Sequence, residues 1–158
     1  MIFLFFGTDK KGNHSNVFMK TIFETMVMLA VFASALARSD AADAALAKRG
    51  QYLVDAAGAC ADCHTARDWK GALDHDHWLQ GAKLDFKPAR LMPWTDYAPG
   101  IAGLPKFATD AEAVTFFETG LRNGRKCAPP MPQYRFSHDD ALAIVSYLRS
   151  LPSGAANK

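Results

Sequence analysis

The sequence has little cysteine, no long apolar run and almost no excess of charge. Its 158 residues include three cysteines, and this odd number excludes a scaffold in which every cysteine is paired within the chain. Its 18 basic and 16 acidic residues give no argument for binding to nucleic acid or to an anionic membrane surface. We find no internal repeat and no low-complexity tract. The length suits one compact domain with some sequence left over.

The surplus sequence lies at the front of the chain. Residues 19–37 have a basic start at Lys20, an apolar run from Thr25 and an end of small residues at Ala35-Leu36-Ala37. This layout is typical of a secretory signal peptide, so we expect cleavage after Ala37. Residues 1–37 are therefore predicted to be a leader, and residues 38–158 to be an exported, periplasmic domain.

The start of the leader and its fate leave alternatives open. Met19, followed by Lys20, makes a better signal-peptide start than Met1, so Met19 is a candidate for the true start. A retained membrane anchor facing the periplasm is the alternative to cleavage. It is disfavoured because the uninterrupted apolar stretch has about a dozen residues, whereas a spanning helix needs roughly 20.

Three segments of the exported part have helical patterns, and we find no convincing strand, so the predicted fold class is all-α. Capping residues mark the helix ends: Ser39 or Asp40 begins the first, a capping box of Thr109 with Glu112 begins the second, and Ser137 begins the third. Gly120 ends the second helix, and Pro152 follows the third. The predicted helices run from about Asp40 to Ala57, from Asp110 to about Thr119 and from His138 to about Leu151.

Apolar residues at helical spacing predict the buried face of each helix. The segment from Thr65 to Ala108 is mostly loop, and a loop of that length is reasonable inside a compact domain if it wraps a large apolar group. The predicted faces are Leu46, Gly50, Leu53 and Ala57; Ala113, Phe116 or Phe117, and Leu121; and Ala141, Ile144, Val145, Leu148 and Leu151.

One motif carries the chemistry: Cys60-Ala61-Asp62-Cys63-His64. Two thiols three positions apart lie on about one helical turn, where they can form thioethers with the two vinyl groups of a haem. The next residue, His64, is then held under the iron as its proximal ligand. The motif therefore predicts one covalently bound haem c.

Other interpretations of the motif are weaker. A thioredoxin-like redox pair is expected in a βαβ context, whereas the surrounding sequence has a helical pattern. A structural zinc site would need further ligands at matched spacing, and His75, His77 and Cys127 do not supply a second Cys-x-x-Cys. Cys127 is interpreted as a small buried hydrophobic residue, with a reactive thiol or an intermolecular disulfide as the alternative.

The second iron ligand is less constrained. Methionine suits an electron carrier because its thioether raises the reduction potential. Met92 and Met131 are the candidates outside the leader, and both precede a proline. Met131 is preferred because Pro129, Pro130 and Pro132 stiffen its loop. Met92 and three histidines, His75, His77 and His138, remain as alternatives.

The chain resembles a class I, monohaem cytochrome c over about residues 42 to 152. The resemblance rests on Gly50-Gln51-Tyr52-Leu53 before the motif, on Met131-Pro132, and on the closing helix from Ser137-His138-Asp139-Asp140 to Leu151-Pro152. It implies three or more helices and long loops around the haem. It also implies that the first and last helices cross, with Gly50 against Tyr147 or Leu148. Four further side chains could contact the haem propionates or close the haem edge: Trp94, Tyr97, Tyr134 and Arg135.

The expected function is the transfer of single electrons between redox partner proteins, with His64 and Met131 as the iron ligands and no catalysis in this chain. The partners would be a dehydrogenase, an oxidase or a reductase. The main alternative is a cytochrome subunit of a periplasmic dehydrogenase or oxidase complex. A haem-based sensor or ligand-binding protein is a further alternative, and a two-haem peroxidase is disfavoured because the sequence has no second Cys-x-x-Cys-His.

Overall fold

The computed structural model describes Glu24, Met26, Met28 and residues 40–154. The chain divides into two compact units, Met1–Ala41 and Ala42–Lys158. Glu24, Met26 and Met28 are helical and exposed, whereas the rest of the predicted signal peptide, including its cleavage site and the candidate start at Met19, lies outside the described residues. Within the described part of the chain, no helix combines the length and the apolar character needed to cross a bilayer.

Helices make up most of the regular secondary structure of residues 40–154. Helix α1 covers residues 40–52 and continues into a π-helical turn at Leu53–Ala57. Helix α2 is the short Ala61–His64, and a 3-10 turn lies at His75–His77. Helices α3 (Asp110–Thr119) and α4 (His138–Ser150) follow. The three predicted helices are thereby confirmed.

The predicted caps of α3 and α4 also form, whereas Ser39, a candidate cap of the first helix, lies outside the described residues. Thr109 accepts a hydrogen bond from the Glu112 N–H at 3.2 Å, and Glu112 accepts one from the Ala108 N–H at 3.0 Å. Gly120 ends α3 with φ +66°, a conformation that glycine adopts without steric cost. Ser137 accepts a hydrogen bond from the Asp140 N–H at the start of α4. Side-chain acceptors at these positions satisfy amide groups that have no partner within the helix.

The expectation of a fold without strands is wrong. In residues 40–154, β1 (Gly81–Lys83) pairs with β2 (Tyr97–Pro99), and β3 (Leu121–Arg122) pairs with β4 (Arg125–Lys126), both antiparallel. Strands of two or three residues are too short to show an alternating pattern. The second hairpin did carry a signal, because Asn123-Gly124 is the preferred two-residue hairpin turn, and both residues have positive φ, +50° and +72°.

The predicted buried faces of the helices are largely correct. The errors lie in the first helix, where the first and the last residue of the predicted face are exposed. Leu46 and Ala57 are exposed, whereas Gly50, Leu53 and Val54 are buried. The π-helical turn explains the misplacement of Ala57, because its wider spacing moves later residues off the α-helical face. In the other two helices the core is formed by Ala113, Val114, Phe116 and Phe117, and by Ala141, Ala143, Ile144, Val145, Tyr147 and Leu148; Leu151 is half-buried.

Candidate functional site

The Cys-x-x-Cys-His motif lies on one short helical turn, as predicted. The chain leaves the π-helical turn through Gly58 and Ala59, and the Cys60 N–H donates to the Val54 carbonyl at 3.0 Å. The His64 N–H then donates to the Cys60 carbonyl at 2.9 Å. This turn places Cys60, Cys63 and His64 on the wall of the same cavity.

His64 is held in one orientation. Its side chain is 6% exposed, and Nδ1 lies 2.6 Å from the Pro99 carbonyl oxygen at the end of β2. Because a carbonyl only accepts hydrogen bonds, Nδ1 carries the proton and Nε2 keeps its lone pair. Burial lowers the pKa of His64. The imidazole is therefore neutral with one free nitrogen, which is the form that ligates iron.

The neighbouring Thr65 fixes the chain as it leaves the motif. Its side chain is 2% exposed, and its hydroxyl accepts a hydrogen bond from the Leu79 N–H at 2.9 Å. Leu79 in turn accepts hydrogen bonds at its carbonyl from the Ile101 and Ala102 N–H groups. The middle of the loop between α2 and α3 is thus anchored next to the motif. This anchor keeps β2 and Pro99 beside His64.

The two motif cysteines are poor thiolates. Burial, with the nearby Asp55 carboxylate, raises the pKa of the Cys60 thiol to about 11. Burial also raises the pKa of the Cys63 thiol. Since the thiolate is the form that attacks disulfides and binds zinc, these environments disfavour the thioredoxin-like and zinc interpretations. They are compatible with a structural thioether.

The cavity has a volume of about 330 Å³ and is lined mainly by apolar side chains. This volume lies within the range of about 300–1,000 Å³ that is usual for small-molecule sites. The motif forms one part of its wall, and much of the rest comes from β2 and the loop after it, from helix α3 and from the segment 127–134. Representative apolar lining residues are Leu84, Ile101, Leu104, Phe107, Phe116 and Phe117.

Met131 lines this cavity and Met92 does not. The Met131 segment is attached to the rest of the domain by the Thr95 N–H, which donates to the Pro129 carbonyl at 2.9 Å. Met92 is 46% exposed. The structure therefore places Met131 on the wall of the same cavity as Cys60, Cys63 and His64.

The three alternative histidines lie outside the cavity wall and have other contacts. His75 stacks on Trp78 with ring centroids 4.9 Å apart. His77 Nδ1 lies 2.7 Å from Asp74, and His138 Nδ1 lies 2.7 Å from Glu118. None of the three is placed to compete with Met131 in this structure.

Cys127 lines the cavity as a half-buried residue, so its interpretation as a small buried hydrophobic residue is correct only in part. Burial raises the pKa of its thiol. Its environment disfavours the reactive-thiol alternative, because the thiolate is the nucleophilic form.

Two buried donors have no acceptor among the described residues: Trp94 Nε1 and Arg122 Nε. Arg122 lines the cavity, and Trp94 precedes Thr95, which also lines it. Buried polar groups normally have partners, so the unpartnered Arg122 Nε at the cavity wall is compatible with an anionic or polar group in the site. Trp94 was among the residues predicted from the sequence, whereas the position of Arg122 depends on the β3–β4 hairpin and has no signal of its own in the sequence.

The other polar candidates are placed differently. Tyr97 and Tyr134 line the cavity, whereas Arg135 does not. The Tyr134 hydroxyl donates a hydrogen bond to the Gly58 carbonyl, so it is already engaged with the protein backbone.

These residues fit a haem. An apolar cavity suits the porphyrin ring, the two thiols suit its vinyl groups, and His64 offers a neutral nitrogen. Met131 offers a thioether, and the two unpartnered donors suit the propionates. A helical domain with Cys-x-x-Cys-His at such a cavity is typical of c-type cytochromes.

Comparison with known families agrees with this class. Residues 47–152 match the family model "Cytochrome c", which is about two thirds of the chain. The chain therefore belongs to the cytochrome c family, whose members carry covalently bound haem c and transfer electrons.

Two curated relatives share similarity with this domain. The "Fructose dehydrogenase cytochrome subunit" of Gluconobacter japonicus is 32% identical over 117 residues, which cover 68% of this chain and 22% of the relative. The "Diheme cytochrome c-type" protein of Cereibacter sphaeroides is 25% identical over 114 residues, which cover 67% of this chain and 36% of the relative. The chain thus spans between about one fifth and one third of the length of these relatives.

Proposed function

We propose that this chain is an exported electron-transfer protein with one haem c, attached through Cys60 and Cys63 and ligated by His64 and Met131. The observation that carries the proposal is that one apolar cavity is lined by both thiols, the buried histidine and the Met131 side chain. The four residues come from two segments more than 60 positions apart in the sequence. Their convergence is therefore a property of the fold.

Each residue has a defined part in this function. Bound haem supplies a one-electron iron couple. His64, oriented by Pro99, presents a neutral nitrogen, and Met131 presents a thioether that raises the potential. Trp94 Nε1 and Arg122 Nε would donate to the propionates, whose negative charge would satisfy both buried donors.

The apolar wall has a part of its own. Leu104, Phe116 and Phe117 are buried side chains that line the cavity. They would exclude water from the iron, and a dry environment of this kind tunes the reduction potential and prevents side reactions.

A second candidate function is the cytochrome subunit of a periplasmic dehydrogenase or oxidase complex. The similarity to a fructose dehydrogenase cytochrome subunit favours it. That relative is far longer than this chain, so similarity over the matched segment does not imply that this chain shares its activity or its assembly. Gel filtration of a native extract, with detection of covalent haem, separates the two: a free carrier elutes at the size of this chain, whereas a subunit elutes with a larger dehydrogenase.

A haem-based sensor is the third candidate, and it requires an iron position that an external ligand can occupy. Met131 at the cavity wall favours the electron carrier over this alternative.

Export to the periplasm is proposed from the signal-peptide layout of residues 19–37. N-terminal sequencing of the protein purified from its own cell tests the predicted cleavage after Ala37.

The function is tested on the purified holoprotein by three measurements. We expect one haem per chain that resists extraction into acid-acetone, a reversible one-electron wave in voltammetry, and no binding of carbon monoxide to the reduced protein at neutral pH. Haem that extracts would contradict covalent attachment. Two haems per chain would contradict the single site, and tight carbon monoxide binding would favour the sensor.

A further inference from the structure

Tyr134 connects the two segments that build the site. Its hydroxyl donates a hydrogen bond to the carbonyl of Gly58, which lies 76 positions earlier in the chain. Gly58 is two residues before Cys60, and Tyr134 is three residues after Met131. One side-chain hydrogen bond therefore joins the approach to the motif with the methionine segment.

The acceptor side of this bond is fixed. The Gly58 N–H donates to the Leu53 carbonyl at 2.7 Å, which closes the π-helical turn. A methyl group on Gly58 would lie 2.9 Å from the Leu53 carbonyl oxygen and 3.2 Å from Cys60 Sγ. The Gly58 carbonyl is thus part of a tightly packed turn that leads directly into Cys60.

The donor side is held by packing. The Tyr134 ring stacks on Phe136 with centroids 5.3 Å apart and planes 23° from parallel. Tyr134 is half-buried and lines the cavity. A ring that is already ordered loses little further conformational freedom when its hydroxyl makes a hydrogen bond.

The methionine segment has few other anchors. Pro129, Pro130 and Pro132 have no backbone N–H, so the segment lacks three donors that could attach it to the domain. Gln133 Nε2 donates to the Thr119 carbonyl at 2.8 Å, and the Phe136 N–H donates to the Phe117 carbonyl at 3.0 Å. Both of these bonds lead to the end of α3, and the bond from the Thr95 N–H to the Pro129 carbonyl leads to the loop before β2. Among the hydrogen bonds that join residues 129–136 to other parts of residues 40–154, that of Tyr134 is the one that leads to the turn before α2.

We propose that Tyr134 is a positioning residue that keeps the Met131 thioether at the distance from the Cys60 turn that iron ligation requires. This inference rests on the proposed function, because it assumes that Met131 ligates the iron. Methionine has three rotatable side-chain bonds and an uncharged ligand atom, so its binding depends on how well its backbone is placed. The bond to Gly58 fixes that backbone relative to the residue through which the haem is attached.

The test is the Tyr134→Phe variant of the holoprotein, titrated with imidazole in the ferric state. Imidazole competes with the methionine for the iron, so a loosened Met131 segment binds it more tightly. We expect its affinity to rise about fivefold, the effect of losing about one net hydrogen bond. The variant keeps the ring on Phe136, so helical circular dichroism and covalent haem content are expected to equal those of the wild type.

Two matched variants separate positioning from general loosening. Tyr52→Phe removes the hydroxyl of an exposed tyrosine in the same unit and should leave imidazole affinity unchanged. Gln133→Leu releases the same segment from α3, so it should lower the free energy of unfolding with less than a twofold change in imidazole affinity. An effect of Gln133→Leu equal to that of Tyr134→Phe would overturn the specific role of Tyr134.

The wild-type spectrum distinguishes failure of this inference from failure of the proposed function. If the wild type has the long-wavelength ferric band of sulfur ligation and Tyr134→Phe binds imidazole as the wild type does, Tyr134 is not a positioning residue and the proposed function stands. If the wild type lacks that band, Met131 ligation is wrong and the role of Tyr134 is wrong with it.

Discussion

Gly50 of α1 lies directly against the backbone of Ala143 in α4. A methyl group on Gly50 would lie 1.9 Å from the Ala143 carbonyl oxygen and 2.8 Å from the Tyr147 Cβ. The predicted contact between Gly50 and Tyr147 is thereby confirmed, and Ala143 adds a closer one. The two helices can cross at this distance only because residue 50 has no side chain.

The Gly50→Ala variant should therefore lose stability. Helix propensity alone would favour alanine over glycine by about 1 kcal/mol. The clash with a backbone carbonyl outweighs this gain, because a helix must shift to relieve it, and we expect a net loss of about 2–3 kcal/mol. Guanidinium unfolding of the holoprotein measures the difference.

Ala45→Gly is the matched control for this prediction. Ala45 is exposed on the same helix, so its variant should lose only about 1 kcal/mol through propensity. A Gly50→Ala variant as stable as the wild type would contradict the close crossing of α1 and α4.

The environment of the Asp55 carboxyl group makes the free energy of unfolding depend on pH. One of its carboxylate oxygens, Oδ1, is buried without a hydrogen-bond partner among the described residues. Burial raises the pKa of Asp55, against smaller lowering effects of Gln51, His75 and Tyr147. The folded protein thus binds this proton more tightly than the unfolded chain does. The contribution of Asp55 to stability is largest below the ordinary aspartate pKa of about 3.9 and is lost as pH rises through the raised pKa.

We therefore expect Asp55→Asn to be more stable than the wild type at neutral pH, with the difference disappearing near pH 4. Denaturant unfolding at several pH values measures this, and Asp43→Asn controls for the loss of one negative charge at an exposed position. A variant that is less stable than the wild type at neutral pH would contradict the assigned environment of Asp55.

The number of free thiols tests the covalent attachment. If Cys60 and Cys63 are thioethers, Cys127 is the only thiol of the holoprotein. We expect one thiol to react with Ellman's reagent after unfolding, and to react more slowly in the folded protein, because burial raises the pKa of Cys127. Cys127→Ser should leave no reactive thiol, whereas three thiols in the unfolded wild type would rule out the thioethers.

The sequence predicted the features that depend on local chemistry. The capping residues Thr109 and Ser137 set the starts of α3 and α4 because their side chains bond amide groups only three positions away. The motif predicted its own helical turn for the same reason. In both cases the interacting residues are only a few positions apart, so the rest of the fold has little influence on the local structure.

Features that depend on distant residues could not be predicted. Pro99 lies 35 positions from His64, and nothing in the sequence indicates that its carbonyl orients the imidazole. Arg122 reaches the cavity because a hairpin turns the chain there. The flanking prolines favoured Met131 over Met92, but that Met131 lines the same cavity as the motif depends on the folding of a segment more than 60 positions away.

The most direct test of the account compares the ferric absorption spectra of the wild type, Met131→Ala and Met92→Ala. Met92 is half-exposed and outside the cavity wall, so its variant is the matched control. We expect the long-wavelength band of sulfur ligation to be present in the wild type and in Met92→Ala and absent in Met131→Ala, which should also bind carbon monoxide when reduced. A band that survives in Met131→Ala, or is missing from the wild type, would contradict ligation by Met131.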